Sequence, residues 1–148
     1  MRDAAIALKP LVGTIVRDVT WGDCDPAGII FYPNYFRWID SGTWNLFFTV
    51  GLTPERMRAE YPHMDMPIVS AQLEFASPAP FGARAEVRSF VEHWGSKSFR
   101  VRHEIVRADG ARLGAGSETR AWVRVAVAGA MRAEHIPEGL KSRFFVTA

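Results

Sequence analysis

An α+β fold, one long helix wrapped by a curved antiparallel sheet of about five strands, is what this sequence predicts. Three features carry the expectation. Residues 33–50 show a helical apolar period and are too apolar to be left uncovered. Residues 83–94 and 98–107 alternate apolar and polar side chains with a period of two. After residue 66, strand patterns follow one another through short turns, as in an antiparallel meander.

At 148 residues the chain has the length of a single domain, 1–148. Residues 1–11 read as a loose leader. Residues 12–21, Val-Gly-Thr-Ile-Val-Arg-Asp-Val-Thr-Trp, are rich in β-branched side chains and read as the first strand. A turn follows in which Pro26 presets φ and Gly28 admits positive φ. The long helix starts at Pro33, whose missing N–H has no partner to lose in a first turn. Asn34, Arg37, Ser41 and Asn45 make its polar stripe. Tyr35, Trp38, Ile39, Gly42, Leu46 and Val50 make the opposite one, widened by Phe36, Thr43 and Phe47. Gly51 is suited to stop it.

Thr53 and Pro54 open a short second helix that runs to about Tyr61 and ends before Pro62. Further strands are expected at 66–76, 83–94, 98–107 and 111–127, with a hairpin turn at Asp109-Gly110. In the last of these, Ala121, Val123, Val125 and Val127 are expected on the side opposite Arg120, Trp122 and Arg124. Residues 136–148 read as a C-terminal tail containing a helical turn.

Hydrophobic residues make up 48% of the chain and charged residues 23%, the balance of an ordinary globular protein. The formal net charge is only +2 and like charges do not run together, so no nucleic-acid partner is expected. No apolar run approaches a membrane span, and the stretch around Arg2, Asp3 and Lys9 lacks a signal-peptide core. With one cysteine, Cys24, no internal disulfide can form, and the expected location is the cytoplasm. His63, His93, His103 and His135 lack metal-ligand spacing, so no metal is expected, and His103 falls on an apolar alternation that belongs in the core. Cys24 has no histidine near it in sequence to activate it and reads as a small filler.

Chemistry concentrates between Trp21 and Tyr35. Two carboxylates, Asp23 and Asp25, sit in a turn that runs straight into the start of the long helix. Asp23 reads as a turn or capping residue. For Asp25 two readings stand: a turn aspartate capping its own backbone, or a nucleophile or general base facing the unpaired N–H groups of the helix start. Those N–H groups favour negative charge, including charge that develops only in a transition state.

The run GDCDPAGIIFYPNYFRWID at 22–40 resembles the hotdog-fold thioesterases of the 4-hydroxybenzoyl-CoA thioesterase type, and MPIVSAQLEF at 66–75 and EHWGSKSF at 92–99 extend the resemblance. The resemblance implies a hotdog fold and hydrolysis of an acyl-CoA thioester, with an aryl acyl group such as hydroxybenzoyl. It implies that Asp25, before Pro-Ala-Gly, attacks or activates, and that the amide of Tyr32 polarises the thioester carbonyl. It gives Asp40 the ring hydroxyl of the substrate, against the plainer reading of a surface ion pair with Arg37. Gly95, Ser96 and Lys97 form the turn expected to meet the CoA phosphates, although a basic run typical of the family is reduced here to Lys97. Met66 stands where a hydroxyl residue is expected against the ligand. The resemblance further implies no dissociable cofactor, since CoA arrives with the substrate, and a homodimer assembling into a homotetramer, for which Phe90 and Trp122 are candidate contacts. A hydratase or dehydratase of the same fold, or an acyl-CoA-binding module without turnover, are the rival readings. The first is disfavoured by the lack of a histidine beside Asp25, the second by Asp25 itself.

Overall fold

The structure, a computed structural model, describes residues 7–148. In chain order its elements are β1 (Leu8–Pro10), β2 (Gly13–Asp18), a 3-10 turn (Trp21–Asp23), α1 (Pro33–Thr49), α2 (Pro54–Glu60), β3 (Met64–Asp65) and β4 (Ile68–Phe75). Then follow β5 (Arg84–Trp94), β6 (Ser98–Arg107), β7 (Arg112–Ala121), β8 (Val123–Val125), β9 (Met131–Ala133), α3 (Glu138–Lys141), a second 3-10 turn (Ser142–Phe144) and β10 (Phe145–Thr147).

Five strands form one antiparallel sheet in the order β2-β5-β6-β7-β4. Ala85, Val87, Ser89 and Val91 of β5 and Phe99, Val101, His103 and Ile105 of β6 are all buried on one face, as their alternation requires. α1 lies across that face and buries Tyr35, Trp38, Ile39, Gly42, Thr43, Leu46 and Phe47. Gly42 is needed for the approach, because a Cβ there would stand 2.4 Å from Ser89 Oγ. Gly51, at φ 80°, ends the helix. Thr53 caps α2 by accepting a hydrogen bond from the Arg56 N–H. At the β6–β7 hairpin, Arg107 and the Ala111 N–H hold the Asp109 carboxyl down to about 2, and Gly110 takes φ 88°. Among the described residues no helix is long and apolar enough to cross a membrane.

The two chain ends differ from expectation. Residues 1–6 of the expected leader lie outside the described residues, but β1 pairs with β10, from Leu8 opposite Thr147 to Pro10 opposite Phe145. The C-terminal segment is no loose tail: Ile136, Leu140 and Phe144 join Leu46, Phe47 and Phe99 in one core cluster.

The segment 111–127 is also corrected. Its single strand is two, because the chain leaves the main sheet at Trp122, where the N–H donates to the Lys97 carbonyl, and β8 continues in a separate sheet with β3 and β9. Arg120 and Trp122 are buried while Val127 is exposed in a turn closed by Gly129 at φ 83°. The reason is compensation: carboxylates answer Arg120, and the Trp122 ring packs edge-on against Tyr61 at 5.5 Å. Trp122 is therefore core and cannot serve as a subunit contact, whereas Phe90 stays half-buried.

Candidate active site

The turn between β2 and α1 is built around Asp23. Its Oδ2 accepts from the Thr20 N–H at 2.8 Å and the Thr20 hydroxyl at 2.6 Å, and its carbonyl accepts from the Phe31 N–H and the Asn34 side-chain amide, both at 2.9 Å. Both ends of Asp23 are thus spent on structure, as expected of a capping residue.

Asp25 sits two residues on, half-buried. Its N–H donates to Ile29 O and its carbonyl accepts from Gly28 N–H at 2.9 Å, a loop that Gly28 permits by its φ of 75°. Oδ1 accepts from the Ala27 N–H at 2.8 Å. The self-capping geometry is therefore present, and it leaves Oδ2 without a partner among the described residues. One carboxyl oxygen is fixed and the other is open, an arrangement compatible with attack as well as with capping.

Tyr32 is the residue before the helix, already in helical conformation at φ −53° and ψ −33°. Phe31, Asn34 and Tyr35 all donate their N–H groups within the turn, whereas the Tyr32 N–H donates to nothing among the described residues. With Pro33 lacking an N–H, the Tyr32 amide is an unpaired donor at the positive end of a 17-residue helix. The side chain is exposed and packs against Phe31 and Phe75. Beside it an apolar cavity of about 300 Å³ opens, lined by Ile29, Ile30, Tyr32, Tyr35, Phe75 and Ala79. Asp25 is not among the lining residues; it meets the cavity wall through Ile29, whose carbonyl accepts its N–H. A hydrophobic cleft of this size beside an unpaired amide suits an apolar acyl group with a reactive carbonyl.

Asp40 does not pair with Arg37, which reaches Asn34 instead. It accepts at Oδ1 from Arg120 Nη2 at 2.5 Å. Sequence reasoning missed the buried polar set behind this contact. Arg120 Nε and Nη2 also donate to Glu118 Oε2 at 3.2 and 3.0 Å, and Thr43 Oγ1 donates to the same oxygen at 2.7 Å. His103, expected in the core and found there, holds Nε2 3.6 Å from Glu118 Oε2 and shares a 2.8 Å hydrogen bond between Nδ1 and Ser89 Oγ. Burial alone would raise the Glu118 pKa, but His103, Arg120 and Thr43 together outweigh it and hold the carboxyl below its usual 4.5.

The sign of the resulting pH dependence follows. A depressed carboxyl stabilises the fold fully above about pH 4.5, and that stabilisation is lost as pH falls through the lowered value. Glu118→Gln should therefore be less stable than the wild type near neutrality, with the gap closing in acid. Urea midpoints of both proteins across that range check it, and a gap that does not change with pH contradicts it.

The remaining expected residues lie elsewhere. Met66 is 2% exposed and belongs to the core, so its side chain does not face a ligand; only its carbonyl is used, accepting from Arg120 Nη1 at 3.4 Å. Gly95, Ser96 and Lys97 form the β5–β6 turn. Gly95 N–H bonds Ser98 O, Ser96 Oγ bonds His135 Nδ1 at 2.6 Å, and the Ser96 and Lys97 carbonyls hold Ile136 and Trp122. Lys97 is exposed and has no ion-pair partner within 4 Å among the described residues. This turn is at the far end of β5 from the Asp25 turn, which adjoins Arg84 through the pairing of β2 with β5. At about 3.3 Å per residue the two ends stand roughly 33 Å apart, so one chain alone does not bring Lys97 to Asp25.

Comparison with known proteins gives the chain a family. Residues 19–144 match the family model of the thioesterase-like superfamily. Over 95 residues the chain is 37% identical to the 4-hydroxybenzoyl-CoA thioesterase of Pseudomonas sp. (strain CBS-3), a match spanning 64% of this chain and 67% of that protein. Its fold is similar to that of a mutant 4-hydroxybenzoyl-CoA thioesterase complexed with 4-hydroxybenzoyl-CoA, with a TM-score of 0.81 and 29% identity over 90% of this chain and 98% of the other. It is also similar to a gentisyl-coenzyme A thioesterase, with a TM-score of 0.73 and 27% identity over 88% and 98% of the respective chains.

Proposed function

The chain belongs to the thioesterase-like superfamily, and from that premise we propose that it hydrolyses an aryl-CoA thioester of the hydroxybenzoyl kind to the free acid and CoA. The observation that carries the reading is the opening of α1, where Tyr32, whose N–H is unpaired among the described residues, lines an apolar cavity together with Ile29, whose carbonyl accepts the Asp25 N–H. The thioester carbonyl takes its place against the Tyr32 amide, which stabilises the oxyanion formed when the carbonyl carbon is attacked. Removing a donor of this kind typically costs ~10²–10³ in rate. Asp25 supplies the attack in one of two ways. As a nucleophile it forms an acyl anhydride, expelling CoA thiolate, and water then opens the anhydride. As a general base it takes the proton of an attacking water as the C–S bond breaks. In both routes the thiolate leaves with the bonding pair and is protonated by solvent. In this reading no dissociable cofactor takes part, and the reaction runs in the cytoplasm.

The active unit in this reading is a homodimer, assembled further into a homotetramer. Two features support the dimer. β4 is an edge strand with Ile68, Val69 and Phe75 exposed, and exposed apolar edges of this length are normally covered. Pairing two copies of β4 antiparallel about a two-fold axis would carry the Gly95–Lys97 turn of one subunit towards the Asp25 turn of the other. Lys97 would then meet a CoA phosphate at the neighbouring site.

The test is thiol release from 4-hydroxybenzoyl-CoA, benzoyl-CoA and several aliphatic acyl-CoAs, with sedimentation velocity on the same preparation. The expected result is turnover favouring the aryl thioesters in a dimer or tetramer. Absence of thiol release from every CoA ester overturns the hydrolase reading, and an active monomer overturns the shared site.

A further inference from the structure

Of the three aromatic side chains on the cavity wall, Tyr35 is the one withdrawn from bulk water: it is 4% exposed, against 60% for Tyr32 and 51% for Phe75. Its ring lies 5.4 Å from that of Trp38 and 5.2 Å from that of Phe75. Its hydroxyl forms no hydrogen bond among the described residues. The fully enclosed side-chain atoms left without a partner there are Trp94 Nε1 and His103 Nε2, and Tyr35 Oη is not one of them. The hydroxyl is thus unpaired yet not sealed in, and the open space that Tyr35 borders is the cavity. Other polar groups of the same wall are spent: Ser77 Oγ donates to the Arg112 carbonyl at 2.6 Å, and the Ile30 N–H donates to the Ala79 carbonyl at 2.9 Å. Buried hydroxyls are normally paired, and a phenylalanine would make the same ring contacts without leaving one unpaired. Burial pushes the Tyr35 phenol above its ordinary value of 10.0, so near neutrality it keeps its proton and can donate.

We propose that Tyr35 is a specificity residue: its hydroxyl donates a hydrogen bond to an acceptor oxygen carried on the ring of the acyl group that fills the cavity. The inference rests on the aryl-CoA reading above and deepens it by naming a class of substituent. An oxygen at that place satisfies the donor, whereas a hydrocarbon group of the same size leaves it unpaired and out of water. A site built to hydrogen-bond its ligand rejects the analogue lacking the partner more strongly than an apolar pocket rejects a change of size. The place of Tyr35 on α1 fits the role. It stands three residues after Tyr32, hence on the same helix face, and a long helical side chain leans towards the helix N-terminus, where the Tyr32 amide is to hold the thioester carbonyl. With Trp38 and Phe75 packed against its ring, the hydroxyl is held in place before the ligand arrives.

The experiment measures kcat/KM for the 2-, 3- and 4-methoxybenzoyl-CoA esters and their ethylbenzoyl-CoA counterparts in the wild type and Tyr35→Phe, with thermal melts of both proteins. A methoxy oxygen only accepts hydrogen bonds, so it reads a donor such as Tyr35 and not a carboxylate such as Asp40. In the wild type the methoxy ester is preferred over its ethyl counterpart by at least ~10-fold at one ring position, and Tyr35→Phe removes that preference. The variant melts at or above the wild-type temperature, since the free protein loses no hydrogen bond with the hydroxyl. A wild type without preference at any ring position, a preference that survives in Tyr35→Phe, or a loss shared equally by both esters overturns the role of Tyr35 and leaves the hydrolase reading standing. A lowered melting temperature overturns it as well, because the hydroxyl then has a partner within the protein. A wild type that cleaves none of these esters also overturns it, and if 4-hydroxybenzoyl-CoA and benzoyl-CoA are refused too, the hydrolase reading falls with it.

Discussion

Asp25→Asn should lower kcat for 4-hydroxybenzoyl-CoA by at least ~10³, or about 4 kcal/mol of transition-state stabilisation, while KM moves little. The substitution is chosen because it separates the two roles the residue plays. Asparagine keeps a carbonyl oxygen that can accept the Ala27 N–H, so the local turn held at 2.8 Å by Oδ1 persists. It replaces the open carboxyl oxygen by a neutral amide, which neither attacks a thioester nor takes a proton from water. A loss in kcat at unchanged melting temperature is thus assigned to chemistry. Asp23→Asn is the matched contrast: its carboxyl is bound twice by Thr20, so its effect should appear in stability first. Thiol-release kinetics and thermal melts of the two variants make the check, and near-normal turnover in Asp25→Asn would remove that residue from the mechanism.

The second large effect is expected in the sheet. Gly116→Ala should destabilise the fold by about 3 kcal/mol, the upper part of the range for forcing atoms into a packed interior. Gly116 of β7 faces Leu73 of β4 across the ladder. A Cβ on it would stand 2.0 Å from the Gln72 carbonyl oxygen, 2.9 Å from the Gln72 carbonyl carbon and 2.7 Å from Leu73 Cδ2. Two of the three are backbone atoms, so no rotamer change relieves the clash; β4 itself must move away from β7. That strand is also the edge proposed to join two subunits, so assembly should weaken together with stability. Urea unfolding should show a lowered midpoint at similar m-value, and an unchanged midpoint would mean that β4 yields freely.

The parts of the molecule that were legible in the sequence are those set by short-range physics. α1 could be read because Pro33 and Gly51 bracket an uninterrupted 3.6-residue period, and β5 and β6 because one face of each is buried and the other is not. Asp23 and Asp25 were legible as a turn feeding a helix, and Asp25 was assigned its expected chemical role through the resemblance. What failed was long-range. Leu8–Pro10 looked loose because its partner, Phe145–Thr147, is at the other end of the chain. The strand expected over 111–127 hid a change of sheet at Trp122, which depends on contacts with Lys97, Tyr61 and Glu134 that no local pattern reveals. Met66 matched a ligand-facing position by sequence yet is turned into the core.

Arg120 and Glu118 were missed for a different reason. The alternation over 111–127 only set Arg120 on the side opposite Ala121 and Val123 and did not say which side is buried, although a signal for that was present. Counting back along both strands from a two-residue Asp109-Gly110 turn puts Glu118 opposite Val101 and Arg120 opposite Phe99, and the observed register has these pairs. Residues paired across an antiparallel ladder share a face. Since Phe99 and Val101 point into the core, Arg120 and Glu118 had to as well, each charge answering the other; the further contact of Arg120 with Asp40 has no such signal in the register.

The central claim is that the reacting carbonyl lies between the Asp25 carboxyl and the Tyr32 amide. A crystal structure of Asp25→Asn holding intact 4-hydroxybenzoyl-CoA measures this directly. The account predicts the thioester oxygen within hydrogen-bond distance, roughly 3 Å, of the Tyr32 nitrogen, with the side chain of residue 25 facing the carbonyl carbon. A thioester bound with its carbonyl turned away from the start of α1, or seated at another part of the molecule, would contradict it.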